Sequence, residues 1–252
     1  MKLDFSNRTA LITGSGQGVG EGIARALASN GANVCLVGRT LSKVEAVADD
    51  INKAGGSAIA IECDVKNNDS INSSIEATLS KFNSLNILIN NAQEVPLGNI
   101  LDVTDESFIN GWDSGPLATF RFMKACYPYL KGGGKIINLA SSSALRPDSN
   151  SYGAYAAVKE SIRSLSRAAA VEWGPDNILV NCIMPLAKST GMDWWMNEHP
   201  DEASEFLKTI PLGRVGDCKD DIGQAVCHIL SDGMNYITGS TIMLDGGQAY
   251  LR

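Results

Sequence analysis

A tyrosine and a lysine four residues apart are the side chains of this sequence whose types and spacing most plainly offer chemistry. They are Tyr155 and Lys159, in the stretch SYGAYAAVKESIRSL. Residues four apart lie on one face of a helix, so a helix here would make a phenol and an ammonium neighbours. An ammonium favours the phenolate form of a phenol, whose ordinary pKa of about 10 would otherwise keep it protonated near neutrality. The spacing alone is weak evidence, so the surrounding elements must support it.

A glycine-rich loop, TGSGQGVG at residues 13–20, offers a second kind of chemistry. It follows the apolar stretch TALIT and precedes an amphipathic stretch that stops at Asn30 and Gly31. Glycines there let the backbone approach a pyrophosphate, and the helix N-terminus offers free N–H groups to the anion. A plain strand-to-helix loop is the alternative, but this placement favours a dinucleotide. We assign to it Gly14, Ser15, Gln17, Gly18, Val19 and Gly20.

The residue after the second predicted strand bears on the choice of dinucleotide. A carboxylate that would bind the ribose 2′-hydroxyl of NAD is expected about twenty residues beyond the glycine loop, and Gly38 and Arg39 stand there instead. An arginine can hold a 2′-phosphate through paired hydrogen bonds and lie along the adenine. We therefore predict that NADP(H) is preferred, with NAD possible; a solvated surface arginine is the alternative.

These groups need a scaffold, and the hydrophobic pattern predicts one. Short apolar or β-branched stretches alternate with helical patterns along the chain, which implies parallel strands joined by right-handed crossovers. We predict one α/β domain over residues 1–252, a doubly wound parallel sheet with helices on both faces. Ligands bind such sheets at the carboxyl ends of the strands. The predicted strands are TALIT, NVCLVG, SAIAIECDV, LNILIN, GKIINLAS, ILVNCIM and STIMLDGG.

Composition limits the classes of partner. The 252 residues carry 21 Lys and Arg against 28 Asp and Glu, a net charge of −7, which argues against nucleic acid and favours a small molecule. Six scattered cysteines without a CxxC pair and only two histidines argue against disulfides and metal. We find neither a secretory signal nor an apolar stretch of membrane-spanning length, and expect a cytoplasmic protein.

Taken in order, several motifs make the chain resemble the short-chain dehydrogenase/reductase family, nearly end to end and especially its NADP-preferring, ketoreductase-like members. The resemblance implies a Rossmann-like fold and a homotetramer. The motifs are Thr13 with the glycine loop, Asp64-Val65, NNA at 90–92, Ser141 or Ser142, Tyr155 with Lys159, Pro185 with Thr190, and YITG and LDGG near the C-terminus.

The resemblance also implies roles for single residues. Tyr155 would pass a proton to or from the substrate oxygen while hydride moves to or from the nicotinamide, and Lys159 would lower its pKa and hold the ribose. A serine would bind the substrate oxygen: alignment on the strand favours Ser141, whereas the usual family interval to Tyr155 selects Ser142. Further cofactor contacts are implied for Asp64, Val65, Asn91, Ala92, Pro185 and Thr190.

Three positions depart from the family pattern. Gln93 stands where a small residue usually borders the cofactor, Leu186 where a glycine is usual, and Gly115 where relatives carry a catalytic asparagine. Asn110 is too early in the chain to replace it. In relatives that asparagine anchors a water that connects the lysine to solvent. Its loss implies a slower proton supply, another water path, or a substitute such as Ser114.

The departures cluster around the expected substrate end. We predict that the substrate pocket includes Gln93, Leu186 and Tyr152, with a lid at about residues 187–210. Trp194 and Trp195 in that lid offer flat apolar surface for a hydrophobic or cyclic substrate, unless one packs on the core and the other on a partner subunit.

The leading functional prediction is an NADP(H)-dependent oxidoreductase that interconverts a ketone and a secondary alcohol. A catalytically impaired member that binds nucleotide as a regulatory protein is the main alternative, because of Gly115. A lyase or dehalogenase on the same scaffold is a third. Known dehalogenases of this kind lose the dinucleotide loop and the lysine, and this sequence retains both.

Overall fold

Seven parallel strands form a single sheet in the computed structural model, which describes residues 3–145 and 151–249. Their order is β3-β2-β1-β4-β5-β6-β7, so the chain winds outward from β1 in one direction and then returns to wind in the other. The predicted doubly wound parallel sheet is confirmed, and each predicted strand stretch contains a strand. The strands are β1 (Thr9–Thr13), β2 (Asn33–Gly38), β3 (Ser57–Glu62), β4 (Ile87–Asn90), β5 (Lys135–Leu139), β6 (Leu179–Pro185) and β7 (Thr241–Leu244).

The helices lie in the connections between successive strands. A π-helical turn, Asp113–Leu117, joins α4 to α5, and a second one, Cys218–Gly223, leads into α9. The helices are α1 (Gly18–Ser29), α2 (Leu41–Lys53), α3 (Asn68–Phe82), α4 (Asp105–Trp112), α5 (Ala118–Leu130), α6 (Gly153–Trp173), α7 (Thr190–Glu198), α8 (Pro200–Lys208) and α9 (Gln224–Leu230).

Both faces of the sheet are covered, which is why its central strands are apolar throughout instead of alternating. One face packs against α1, α2 and α9, through residues such as Ile23, Val44 and Val226. The other packs against α3, α5 and α6, through residues such as Ile75 and Phe122. Because all seven strands are parallel, their carboxyl ends meet along one edge of the sheet, where the loops of interest lie.

A close approach joins the first helix to the last third of the chain. A Cβ atom on Gly22 of α1 would overlap the backbone of Cys218, and one on Gly223 would lie 2.7 Å from the Gly22 carbonyl oxygen. Only glycine allows these two segments to pack backbone against backbone. Helix α1, near the start of the chain, thus packs against residues near the end of the chain.

Along residues 3–145 and 151–249, no helix is long and apolar enough to cross a bilayer. No group of three or more His, Cys, Asp or Glu side chains there is arranged to hold a metal ion.

Candidate active site

The glycine loop is tied to the end of β4 by one asparagine. The Asn91 side chain donates to the carbonyl oxygens of Thr13 and Gly14, both at 2.9 Å. Thr13 Oγ1 in turn accepts from the backbone N–H groups of Asn91 and Ala92, both at 3.0 Å. A Cβ on Gly20 would lie 2.5 Å from Asn91 Nδ2, so Gly20 makes room for this side chain. Asn91 therefore fixes the shape of the loop.

The loop opens onto a cleft of about 330 Å³ at the carboxyl edge of the sheet. Helix α1 begins beside it, and its N-cap residue Gln17 makes no side-chain capping bond, so the N–H groups of the first turn stay available to an anion. Gly14 adopts φ +64°, which lets the backbone itself form the wall. These residues fit a dinucleotide. Those predicted to bind one that do line the cleft are Gly14, Gln17, Gly18, Arg39, Asp64, Val65, Asn91 and Ala92.

Two side chains predicted to bind the nucleotide have other contacts. Ser15 is fully buried, and its hydroxyl accepts from the Val37 N–H at 3.0 Å, so it joins the loop to β2. Val19 packs against the apolar core on the α1 face of the sheet. The spacing of the loop does not distinguish these inward positions from those that border the cleft, because both kinds alternate within one tight turn.

A bridge of three charged side chains spans the far end of the cleft. Glu94 Oε1 lies 2.6 Å from Arg39 Nη1 and 3.1 Å from Lys66 Nζ. Arg39 follows β2, Lys66 follows β3, and Glu94 follows β4, so Glu94 reaches across β1 to both. Lys43 on α2 also borders this end and donates to Gln17 Oε1 at 3.0 Å. The end of the cleft predicted to hold a 2′-phosphate is thus rich in cations, and Glu94 places a carboxylate among them.

Ser141, Tyr155 and Lys159 are brought together at the ends of β5 and α6. The side chain of Ser141 hydrogen-bonds that of Tyr155. Lys159 is 3 % exposed, and its Nζ lies 5.6 Å from the centre of the Tyr155 ring. Ser142, the alternative serine, begins a short 3₁₀ turn over Ser142–Ala144. The loop residues 146–150 that separate these serines from Tyr155 lie outside the described part of the chain.

Burial favours the neutral form of both ionisable groups, and it shifts their pKa values in opposite directions. Desolvation raises the pKa of Tyr155 to about 12, with the hydrogen bond from Ser141 acting in the opposite direction. Desolvation lowers the pKa of Lys159 to about 8. Lys159 Nζ donates to the Leu139 carbonyl oxygen at 2.8 Å. That Lys159 lowers the pKa of the tyrosine during the reaction stays a prediction.

The two unusual residues at 93 and 115 occupy one another's space. A Cβ on Gly115 would overlap the Gln93 amide, lying 2.9 Å from its Cδ. Gln93 Nε2 donates to the Gly111 carbonyl oxygen at 2.9 Å. The π-helical turn that follows contains Pro116, which has no N–H to donate. Gln93 thus supplies a side-chain donor to the backbone beside this turn, and Gly115 leaves room for it.

Ser114, the suggested substitute for the asparagine, already has hydrogen-bond partners. The Ser114 hydroxyl donates to the Asn110 carbonyl oxygen at 2.7 Å and accepts from the Glu94 N–H at 2.9 Å. Asn110 Oδ1 accepts from Lys66 Nζ at 3.3 Å. Gln93 Oε1, by contrast, is buried and has no hydrogen-bond partner in the described structure. The polar acceptor left open in this region belongs to Gln93.

The predicted substrate-side residues are more dispersed. Tyr152 stacks near Tyr155, with ring centroids 6.1 Å apart. Pro185 ends β6, and the Leu186 N–H donates to the Leu244 carbonyl oxygen at 3.0 Å. Thr190 begins α7, and its side chain lies outside the described part of the structure.

The two tryptophans of α7 have different surroundings. Trp195 packs edge-on against Phe206 of α8, with ring centroids 5.6 Å apart. Trp194 is 63 % exposed. Trp195 thus contacts α8, and the Trp194 ring centroid lies 6.4 Å from that of His199. That the two tryptophans offer apolar surface to a substrate stays a prediction.

Sequence reasoning missed the residues that complete the charged end and the floor of the site. Glu94, Lys66 and Lys43 were not assigned, although an acidic residue two positions after NNA is a readable signal. Asn138 was also missed. It is fully buried, pairs in register with Asn90 across β4 and β5, and accepts from the Asn90 side chain at 2.8 Å. Asparagines in two otherwise apolar strands were the available signal.

Known proteins share this arrangement over nearly their whole length. A family model described as enoyl-(acyl carrier protein) reductase matches residues 14–249. A 12alpha-hydroxysteroid dehydrogenase of Clostridium sp. is 37% identical over 96% of this chain and 97% of its own. A cyclohexanol dehydrogenase of Acinetobacter sp. is 32% identical over 98% and 96%.

Solved structures give the same result. The crystal structure of 3-ketoacyl-(acyl-carrier-protein) reductase from Brucella melitensis, complexed with NADH, superposes with a TM-score of 0.88 at 29% identity, covering 97% of this chain and 99% of that one. The glycine loop, the cleft beside it and the Ser141, Tyr155 and Lys159 group lie on a scaffold shared with named dehydrogenases and reductases. The chain therefore belongs to the short-chain dehydrogenase/reductase family and is an NAD(P)-dependent oxidoreductase that acts on CH–OH groups.

Proposed function

We propose that the protein interconverts a ketone and a secondary alcohol with NADP(H), and that Tyr155 transfers the proton. The observation that carries this proposal is the meeting of Ser141, Tyr155 and Lys159 at the carboxyl edge of the sheet. When bound, NADPH supplies the hydride that reaches the carbonyl carbon. Ser141 holds the carbonyl oxygen, and the Tyr155 hydroxyl gives that oxygen its proton.

The state of the tyrosine favours the reductive direction. Because burial raises its pKa to about 12, Tyr155 carries its proton throughout the neutral range and is ready to act as an acid. Lys159, whose pKa burial lowers to about 8, can take part in restoring that proton. We assign Lys159 the further task of binding the nicotinamide ribose.

The cofactor preference follows from the charged end of the cleft. Arg39 is 58 % exposed in its side chain, borders the cleft, and stands where an NAD-binding carboxylate would otherwise follow β2. A guanidinium suits a 2′-phosphate. Asp64, Val65, Asn91 and Ala92 complete the nucleotide contacts, with Pro185 and Thr190 at its nicotinamide end.

The names of the relatives guide the choice of substrate. Hydroxysteroids and cyclohexanol are both cyclic secondary alcohols, and an exposed tryptophan, Trp194, on a lid over about residues 187–210 offers apolar surface to a ring. We propose a cyclic ketone or alcohol as the substrate class. Gln93, Tyr152 and Leu186 line the pocket in this proposal.

The test is NADPH oxidation, followed by absorbance, with a panel of cyclic ketones. Tyr155→Phe removes only the hydroxyl, so kcat should fall by about 10²–10⁴-fold while NADPH binding is unchanged. Tyr152→Phe is the matched control, since its ring is a neighbour of Tyr155, and it should keep most activity. A Tyr155→Phe enzyme with near-normal turnover would show that another group supplies the proton.

A second candidate function is a nucleotide-binding regulatory protein. Gly115 favours it, because the position that carries an asparagine in relatives has no side chain here. In that case NADP⁺ binds, but no ketone or alcohol of the panel is turned over at any pH.

A further inference from the structure

We propose that Glu94 limits the preference for NADP(H), because it competes with a 2′-phosphate for Arg39. This inference rests on the proposed binding of the nucleotide at the Arg39 end of the cleft. It adds a selectivity residue that lies on the loop after β4, not at the end of β2 where the choice between the two dinucleotides is usually made.

The first step of the argument is that Arg39 already has an anionic partner. Its Nη1 lies 2.6 Å from Glu94 Oε1, and both side chains border the cleft. A phosphate dianion that takes the guanidinium must displace this carboxylate or accept it as a neighbour. Displacement gives up an ion pair, and proximity brings two like charges together. Each alternative weakens the binding of NADP(H), and neither applies to a neutral 2′-hydroxyl.

The second step is that Glu94 cannot easily withdraw. Its backbone N–H donates to Ser114 Oγ at 2.9 Å, and its carbonyl oxygen accepts from Gln93 Nε2 at 2.6 Å. Its carboxylate also pairs with Lys66 Nζ at 3.1 Å, and that ammonium is in turn held by Asn110 Oδ1. The backbone of Glu94 is thus fixed at two points and its carboxylate is held by Lys66, so the carboxylate stays near the mouth of the cleft when a ligand enters.

The third step concerns Lys66, which makes the competition reversible. Because Lys66 shares the oxygen that binds Arg39, Glu94 keeps a cation when Arg39 turns away. Arg39 can therefore leave Glu94 for a phosphate without leaving the carboxylate unpaired, and an unpaired carboxylate would cost more free energy. The pair is weak enough to open, since the Arg39 side chain is 58 % exposed and exposed ion pairs contribute little to stability.

The experiment measures the Kd values of NADP⁺ and NAD⁺ by isothermal titration calorimetry on the full chain and on Glu94→Gln. We expect NADP⁺ to bind about fivefold more tightly to the variant, while NAD⁺ changes less than about twofold. Glu172→Gln, on the exposed end of α6, removes the same charge elsewhere and should leave both constants within about twofold. Equal gains for both nucleotides, or no gain for NADP⁺, would overturn the proposal.

A second pair of variants tests whether Glu94 acts through Arg39. In an Arg39→Ala background, Glu94→Gln should improve NADP⁺ binding by less than half as much, on a logarithmic scale, as it does in the natural chain. An undiminished gain would mean that Glu94 acts by general repulsion and not by holding the guanidinium. If the natural chain binds neither nucleotide, the proposed function itself fails and this inference with it. If NADP⁺ binding responds to Arg39→Ala but not to Glu94→Gln, this inference alone fails.

Discussion

Lys159, to which we assign a role in the proposed chemistry, lies in a poor environment for a cation. It is buried under the Tyr155 ring, and its hydrogen bond to the Leu139 carbonyl oxygen does not compensate fully for lost hydration, which is why its pKa falls to about 8. A residue kept in such a place lowers the stability of the fold.

This conflict gives a stability prediction with a definite pH dependence. The folded pKa of Lys159 lies below its unfolded value of 10.5, so the unfolded chain binds more protons between about pH 8 and 10.5, and the free energy of unfolding rises with pH across that window. Lys159→Met should therefore raise the free energy of unfolding at pH 7 by about 2 kcal/mol, after allowing for the lost hydrogen bond.

The measurement is urea unfolding of both proteins at pH 7, 8, 9 and 10. The advantage of the Lys159→Met variant should shrink steadily over this series as the natural lysine becomes neutral in the folded state. Activity should be lost at every pH. A variant that is less stable at pH 7 would show that the ammonium is well solvated in the fold.

Gln93 and Gly115 contact one another, so we expect that a substitution at one position changes the effect of a substitution at the other. Gly115→Asn alone overlaps the Gln93 amide and should lower the free energy of unfolding by about 2–3 kcal/mol. Gln93→Gly alone removes the donor to the Gly111 carbonyl oxygen. The double variant, which restores the family pattern, should recover at least half of the loss from Gly115→Asn. Purely additive effects in urea unfolding would show that the two positions are independent.

At the scale of elements, a ring contact between Trp195 and Phe206 joins α7 to α8. Trp195→Ala removes the partner of Phe206 and should lower the free energy of unfolding by about 1–3 kcal/mol. Trp194→Ala, one residue earlier and mostly exposed, should leave stability unchanged and raise KM for cyclic ketones. Unfolding curves and KM values for both variants separate the roles. Identical effects of the two substitutions would contradict this division.

The elements were predictable from the sequence to a greater extent than the site. Each strand of the sheet is a short apolar run bounded by turn residues, because strands buried on both faces need no polar side chain. The lengths were less certain: β3 ends at Glu62, so Cys63 and Asp64 belong to the loop that borders the cleft. The pattern of apolar and polar residues indicates which residues are buried. Because burial changes only gradually at the end of a strand, the pattern does not specify the last strand residue.

Sequence reasoning could identify site contacts between residues that are close together in the chain. It missed contacts between residues that are far apart in the chain. Tyr155 and Lys159 share a helix face, so their proximity follows from local spacing. The Arg39, Lys66 and Glu94 bridge joins the ends of three strands, and the reciprocal fit of Gln93 and Gly115 joins a loop to a π-helical turn. Nothing local in a sequence specifies which side chains meet across strands.

For the whole molecule, the homotetramer implied by the family resemblance stays a prediction, and exposed apolar side chains on α4, α5 and α6 are its candidate interface. Trp112, Phe120 and Val171 are among them, and Val171 is 80 % exposed. We expect light scattering after size exclusion to give about four times the chain mass of 26.7 kDa. Val171→Glu should shift this mass toward smaller species, whereas Leu101→Glu, on an exposed loop before α4, should not. A monomer of the natural chain at micromolar concentration would contradict the proposal.

The backbone contact between Gly22 and Gly223 has a consequence for biosynthesis. A ribosome completes the first helix long before it adds residue 223, so for most of translation that helix lacks the surface it fits against. During that interval the nascent chain exposes apolar groups that the finished molecule hides. Chaperone dependence should therefore be greatest for chains truncated just before Cys218 and should fall sharply once the segment Cys218–Gly223 has emerged.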